Sequence, residues 1–114
     1  MKQPKQHLYE GMYIFNTGLT DDARQKLLDK VEANIVEKGG KVVKTFDQGR
    51  KKLAYPIKKK REGHYYILYF NLPSDTMDKL WREYRLNEDI LRFMTLQVPS
   101  VPEKIEFQPL RSEE

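Results

Sequence analysis

Hydrophobic positions along the first third of the chain follow two different periods, one typical of a strand and one of a helix. Residues 8–16 place apolar side chains on both faces of an extended segment, with Met12 and Ile14 on one face. A strand that is apolar on both faces is predicted to be central in its sheet. Residues 20–38 repeat apolar side chains at helical spacing, and Gly39 favours a left-handed end to that helix.

The middle of the chain predicts two further strands. The first runs from Lys41 to Ile57 and is interrupted by Gly49, which indicates a bulge or bend. Because Pro56 has no N–H to donate to a neighbouring strand, this strand is predicted to lie at an edge of the sheet. Residues 58–63 predict a turn, and residues 64–72 predict a strand with no polar face.

A second helix and a last strand complete the pattern. Ser74 or Asp75 is the predicted N-cap of the helix, and Asn87 is suited to a left-handed conformation at its end. The predicted buried stripe of this helix consists of Met77, Leu80, Trp81 and Tyr84. Residues 90–98 predict the last strand.

The order strand, helix, strand, strand, helix, strand predicts an α+β fold of the ferredoxin-like, split-βαβ kind. In this fold a four-stranded antiparallel sheet carries both helices on one face. The predicted domain spans residues 8–98, between an N-terminal arm (residues 1–7) and an extended C-terminal tail (residues 99–114) with apolar Ile105, Phe107 and Leu110.

The helices of such a fold leave one sheet face open, although the central strands are apolar on both faces. A protein partner or stacked nucleic-acid bases should therefore cover the open face. The side chains expected at a partner-protein interface there are Met12, Ile14, Tyr66 and Phe70.

Positive charge is concentrated in one segment, residues 49–61, which we call the basic ribbon. It contains no acidic residue, whereas the whole chain has 21 basic and 17 acidic side chains and a net charge of +4. The basic side chains of the ribbon are Arg50, Lys51, Lys52, Lys58, Lys59, Lys60 and Arg61. Lysines also keep edge strands soluble, but mixed charges would serve that purpose equally well. The segregation favours a polyanion, and a nucleic-acid backbone in particular, as the partner.

Apolar residues alternate through the middle of the basic ribbon. Leu53, Tyr55 and Ile57 are two residues apart, which is the spacing at which a strand buries one face. We therefore expect all three side chains to anchor the ribbon to the core.

The sequence gives little support for catalysis, a cofactor or a metal site. It has no cysteine, and neither His7 nor His64 lies near a nucleophile in sequence. A ferredoxin-like enzyme such as an acylphosphatase would need an arginine-bearing phosphate loop, which we do not identify. The longest uncharged apolar run, residues 64–73, is half as long as a membrane span, so we expect a soluble, cytoplasmic protein.

A stand-alone RNA-binding protein of the RNA-recognition type is an alternative. That module has the same order of elements and stacks bases on aromatic side chains of its central strands. The segment Gly63–Tyr69 is weakly similar to its third-strand signature. Tyr66 and Phe70 would then stack bases, although a place in the core or in a protein interface is favoured for them.

The sequence resembles the bacterial small-subunit ribosomal protein six family. The resemblance rests on Gly49-Arg50-Lys51-Lys52-Leu53-Ala54-Tyr55-Pro56-Ile57, and is supported by Tyr9-Glu10, Gly39-Gly40 and the segment Arg85–Arg92. It covers about residues 8–98. Gly11 departs from the family, which normally has a bulky apolar side chain at that position.

The resemblance implies a non-catalytic component of the small ribosomal subunit with a ferredoxin-like fold. Such a protein binds the central domain of the small-subunit (16S-type) ribosomal RNA together with small-subunit ribosomal protein eighteen. We expect the basic side chains of the ribbon to contact RNA phosphates, and Arg92 is a further candidate for contact with the RNA or with the partner.

Overall fold

A computed structural model describes residues 5–103. Its helices and strands follow one another in the order that the sequence predicts. Four antiparallel strands lie in the order β2-β3-β1-β4, so β1 and β3 are central and the strand that carries the basic ribbon is at an edge. A 3₁₀ turn (Ser74–Thr76) precedes the second helix. The elements are β1 (Gln6–Asn16), α1 (Asp21–Glu37), β2 (Lys41–Ile57), β3 (Lys60–Pro73), α2 (Met77–Arg85) and β4 (Ile90–Gln97).

Helix α1 begins and ends as its sequence predicts. The backbone N–H of Ala23 donates to Thr20 Oγ1 at 3.1 Å, which satisfies one of the N–H groups in the first turn. Asp21 and Asp22 occupy that turn, where the helix dipole favours negative charge. Gly39 has φ of +86°, a conformation that glycine adopts without steric cost, and the chain leaves the helix there.

The main core lies between the two helices and one face of the sheet. Its buried side chains are Tyr13, Phe15, Leu27, Leu28, Val31, Ile35, Tyr66, Leu68, Phe70, Leu72, Met77, Leu80, Tyr84 and Ile90. Trp81, the fourth member of the predicted α2 stripe, packs partly buried against them. Side chains from α1 and α2 share this one cluster, which places both helices on the same side of the sheet.

The Tyr13 ring explains why position 11 is a glycine. A Cβ at Gly11 would lie 2.8 Å from Tyr13 Oη and 3.0 Å from Phe70 Cε1. The tyrosine ring therefore occupies the space into which a larger side chain would project. The Tyr13 hydroxyl is buried, and it is satisfied by the Tyr84 hydroxyl at 2.7 Å.

Two strands begin earlier than predicted. β1 begins at Gln6, so Gln6 and His7 belong to the sheet and pair with the end of β3. The turn between β2 and β3 contains only Lys58 and Lys59, with φ of +50° and +67°, and β3 begins at Lys60. A two-residue turn with positive φ at both positions matches the twist of its strands, so the hairpin is longer than predicted.

Both ends of α2 also differ from the prediction. Ser74 and Asp75 lie in the 3₁₀ turn, which follows directly from Pro73, and α2 begins only at Met77 without a side-chain cap. The predicted left-handed Asn87 is wrong, since positive φ outside glycine is confined, within residues 5–103, to the β2–β3 turn. Asn87 instead accepts a hydrogen bond on Oδ1 from the Asp89 N–H at 3.0 Å. This local turn leads into β4 without a left-handed residue.

The terminal segments can be compared with the prediction only in part. Residues 1–4 of the predicted arm lie outside the described residues, as do Ile105, Phe107 and Leu110 of the predicted tail. Between Val98 and Glu103 the chain runs without helix or strand. The Val98 N–H donates to Leu8 O at 3.0 Å, and Lys44 Nζ donates to Glu103 O at 3.5 Å.

Candidate nucleic-acid interface

A second apolar cluster lies on the sheet face opposite the helices. Its buried side chains are Ile14, Leu53, Ile57, Tyr65 and Leu91, and Met12 packs against them partly buried. Leu53 and Ile57 belong to the basic ribbon, whereas Ile14 and Tyr65 face away from the helices on the central strands. The ribbon therefore folds over the open face and carries its own apolar anchors with it.

A large bulge in β2 allows this folding. Lys52 pairs with Glu62 and Ile57 pairs with Lys60, so residues 53–56 lie opposite Arg61 alone. The extra residues on one strand bend it and increase its twist. The bulge predicted at Gly49 is confirmed by a register shift between Asp47 and Gly49 and by a φ of +79°.

Close packing at Gly63 brings the ribbon onto the sheet. A Cβ at this position would lie 2.2 Å from Ile14 Cγ2 and 3.4 Å from Leu53 Cδ2. The missing side chain leaves room for Ile14 beside the backbone of β3. Any larger residue would push the second cluster apart.

Tyr55 does not anchor the ribbon, which corrects the sequence prediction. Leu53 and Ile57 are buried as expected, but Tyr55 is 47% exposed. Regular alternation fails here because residues 53–56 have left the ladder that β2 forms with β3. The Tyr55 hydroxyl instead accepts a hydrogen bond of 2.5 Å from Arg92 Nη1, and the guanidinium carbon lies 5.4 Å from the ring centroid.

This contact joins the two edges of the sheet. Tyr55 belongs to β2 and Arg92 to β4, which are separated in the sheet by β3 and β1. The bulged part of the ribbon must therefore reach across the open face. Arg92, which sequence reasoning treated as a separate candidate, is brought next to the ribbon.

The cations of the basic ribbon lie along one hairpin and differ in their surroundings. Arg50 Nε donates to Glu62 Oε1 at 2.7 Å, and both side chains are exposed. Lys51 is half-buried, and the exposed basic side chains besides Arg50 are Lys52, Lys58, Lys59, Lys60 and Arg61. Their charges therefore form one positive surface along the hairpin.

Two of the four expected partner-interface residues face the wrong side of the sheet. Tyr66 and Phe70 belong to the main core and are 2% and 0% exposed. Their position follows from the register, because Tyr66 pairs with Tyr13 and both side chains face the helices. Neither ring is accessible to a partner protein or to a base.

The other two interface candidates do lie on the open face. Ile14 is only 1% exposed because the ribbon covers it. Met12 is half-buried, and its neighbour across β1 and β4 is Met94, which is 46% exposed. The chain covers part of its own open face, which the sequence pattern does not predict. The apolar pair Leu53 and Ile57 within a charged segment was the available signal.

His64 is part of the packing on β3. Its ring stacks on Tyr66 with centroids 4.8 Å apart, and Nε2 lies 2.7 Å from Asp47 Oδ1. Burial raises the pKa of the neighbouring Tyr65 phenol, which keeps that group neutral within the second cluster. The stacking and the Asp47 contact give His64 a place in the packing of the sheet.

Comparison with known proteins identifies the family to which the chain belongs. A family model described as ribosomal protein S6 matches residues 8–97. The chain belongs to this family. The match includes the whole basic ribbon and all four strands except the first two residues of β1, and it confirms the resemblance seen in the sequence.

Individual members of the S6 family are similar over nearly the full chain. The small ribosomal subunit protein bS6 of Chlamydia muridarum is 53% identical over 110 residues, which cover 96% of this chain and 98% of that protein. The corresponding protein of Protochlamydia amoebophila is 51% identical, with 96% of each chain covered.

A solved structure supports the fold assignment. The crystal structure of 30S ribosomal protein S6 from Thermotoga maritima matches with a TM-score of 0.78 and 33% identity. The match covers 82% of this chain and 89% of that chain. The ferredoxin-like fold is thereby confirmed.

Within residues 5–103, neither helix has the length and apolar composition that crossing a membrane requires.

Proposed function

We propose that the protein is a structural, non-catalytic constituent of the small ribosomal subunit. It binds the central domain of 16S-type ribosomal RNA together with small-subunit ribosomal protein eighteen, and so supports subunit assembly and translation in the cytoplasm. Membership of the ribosomal protein S6 family supports the assignment to the small subunit. The proposed binding of RNA rests on the folded basic ribbon.

The single observation that carries RNA binding is the hairpin of positive charge held over the sheet by apolar contacts. Seven of the 21 basic side chains of the chain lie in this ribbon. The second cluster fixes the ribbon backbone, so few conformations are lost when phosphates bind. Phosphate contacts would position the protein on the RNA, and the shape of the RNA would supply specificity.

The exposed apolar part of the open face supports a protein partner beside the RNA. Met94 and Leu96 are 46% and 56% exposed and lie on the same face as Met12. Apolar groups of this kind on a soluble protein favour an interaction site. Ribosomal protein eighteen would cover this part of the sheet and extend the RNA-binding surface.

The alternative of a stand-alone single-strand RNA-binding protein loses its proposed stacking sites. It needed Tyr66 and Phe70 on the open face, and both are in the main core. Partner dependence of RNA binding consequently separates the two functions.

The test is equilibrium binding to a central-domain fragment of 16S-type ribosomal RNA, titrated over salt, with and without ribosomal protein eighteen. Tight binding that weakens steeply with salt and requires the partner supports the proposal. Equal affinity without the partner, extending to unstructured single strands, contradicts it. The matched control RNA is a duplex of the same length and unrelated sequence.

A further inference from the structure

The bulge in β2 forms a small pocket within the basic ribbon. Its volume is about 170 Å³. The pocket forms because residues 53–56 leave the ladder between β2 and β3 opposite Arg61. The side chains of the two strands therefore do not pack in register at this point. The residues that line it are Lys52, Leu53, Ala54, Tyr55, Pro56 and Arg61.

The walls of the pocket combine two kinds of chemistry. Lys52 and Arg61 are exposed cations on neighbouring strands, and the lining contains no acidic side chain. Tyr55 and Pro56 add exposed, flat apolar surfaces. Proteins hold unpaired nucleotides with cations that contact the phosphate and with aromatic rings on which the base stacks. This pocket has both kinds of side chain.

The pocket is held in shape by contacts outside it. Leu53 is buried in the second cluster, which fixes one wall to the sheet. Arg92 donates to the Tyr55 hydroxyl and lies over the ring, which restricts the orientation of the ring. Arg92 is in this respect a positioning residue that acts through Tyr55. A ring that is already oriented loses little conformational entropy when a base stacks on it.

The size of the pocket limits what it can take. Sites for drug-sized ligands are larger, roughly 300 Å³ or more, whereas this pocket has about half that volume. One nucleobase with its phosphate at the rim fits this size better than a longer ligand. Stacked bases of a duplex cannot enter, because each is held between its neighbours.

We propose that this pocket binds one unpaired nucleotide of RNA. Its phosphate lies between Lys52 and Arg61, and its base stacks on Tyr55 beside Pro56. The inference rests on the proposed RNA-binding function but adds a separate claim. The ribbon distinguishes an unpaired nucleotide from a continuous duplex, which charge alone would not do.

The first test needs neither the ribosome nor a partner. Amide chemical shifts of the full chain are followed by NMR during titration with adenosine monophosphate, and in parallel with inorganic phosphate at equal ionic strength. The nucleotide should shift the amides of residues 53–55 and 61 in a saturable manner, and phosphate should shift a smaller set near Lys52 and Arg61. Identical shifts for both ligands, or no shifts, would overturn the proposal.

The second test uses a variant that fills the pocket and keeps every charge. Binding of Ala54→Leu is compared with that of Ala33→Leu, a matched change on the exposed surface of α1. The two probes are a fully paired 12-base-pair RNA duplex and the same duplex with one bulged nucleotide. Wild type and Ala33→Leu should bind the bulged probe about tenfold more tightly, which is the contribution of one base–aromatic stack. Ala54→Leu should lose that preference and keep its affinity for the duplex.

Two tyrosine variants separate stacking from hydrogen bonding. Tyr55→Phe keeps the ring and should retain most of the preference for the bulged probe, whereas Tyr55→Leu should lose it. A preference that survives in both Ala54→Leu and Tyr55→Leu would overturn the pocket proposal. The proposed function itself would still hold if these variants bound the central-domain fragment with the partner, so the two failures are distinguishable.

Discussion

The two faces of the sheet carry apolar clusters of very different size. The larger cluster stabilises the fold, and the smaller one positions the surface that we propose binds RNA. On the helix side, fourteen buried side chains among residues 5–103 form one continuous core. On the open side the cluster among these residues has five members, and two of them, Leu53 and Ile57, come from the basic ribbon. The large cluster defines the fold, while the small one fixes where a charged hairpin lies.

The smaller cluster allows the chain to tolerate a dense run of positive charge. Seven cations within twelve residues repel one another, and an isolated hairpin of this kind would be marginal. Leu53 and Ile57 supply the apolar contact that holds it on the sheet. The ribbon is therefore part of the folded domain although its charges face outward.

The largest effect is expected in the main core. Leu80 is fully buried between α2 and the sheet. Leu80→Ala should lower the free energy of unfolding by about 2–5 kcal/mol, because it removes buried methyl groups and leaves a cavity. Urea unfolding measures the loss. At a temperature where the variant is still folded, its affinity for the central-domain RNA with the partner should equal that of wild type.

A smaller loss of stability but a clear loss of binding is expected in the second cluster. Leu53→Ala should lower the free energy of unfolding by about 2 kcal/mol, at the low end for leucine, since this cluster is smaller. It should also weaken RNA binding, because the ribbon loses its anchor. The same urea and RNA titrations measure both effects. Unchanged RNA affinity would mean that the second cluster does not position the ribbon.

The tyrosine pair of the main core allows a finer test without any cavity. Tyr84→Phe leaves the buried Tyr13 hydroxyl without its partner and should cost about 1.5 kcal/mol. The double variant Tyr13→Phe, Tyr84→Phe should recover most of that loss, because no buried hydroxyl then remains unsatisfied. A double-mutant cycle in urea measures the coupling, and additive losses would contradict it.

The same pair predicts how stability depends on pH. Burial raises the pKa of Tyr13 and of Tyr84 well above the ordinary tyrosine value. Their contribution to stability is complete below about pH 10, the pKa of an unfolded tyrosine, and is lost as the pH rises further. Wild type should therefore lose stability above pH 10 more steeply than the double phenylalanine variant. Parallel pH profiles would contradict this.

Much of the fold follows from local sequence patterns. The helical repeat of Leu27, Val31 and Ile35, and the edge position required by Pro56, both predicted what the structure has. Helix ends and turns were less predictable, since Ser74 and Asn87 are common in several kinds of turn. Their conformations depend on neighbours that the local sequence does not specify.

The candidate site was predictable in composition but not in shape. The run of basic residues identifies the ribbon in the sequence, yet alternation assigns Tyr55 to the core. The bulge at residues 53–56 reverses that assignment, and bulges leave no clear periodic signal. Tyr66 and Phe70 were assigned to the open face because every residue from Tyr65 to Phe70 is apolar, so no polar alternation marked which face was which.

RNA binding by the folded basic ribbon should show in the salt dependence of the affinity, because each phosphate contact releases counterions. Lys58, Lys59 and Lys60 are replaced together by glutamine, and the control replaces Lys26, Lys30 and Lys79, three exposed lysines of the helices. Both variants lose three charges. Binding to the central-domain RNA with ribosomal protein eighteen is measured over a range of salt. The ribbon variant should bind more weakly, and its log–log slope should fall by up to about one unit per lost phosphate contact, while the control keeps the wild-type slope. Equal slopes for the two variants would contradict RNA binding by the ribbon.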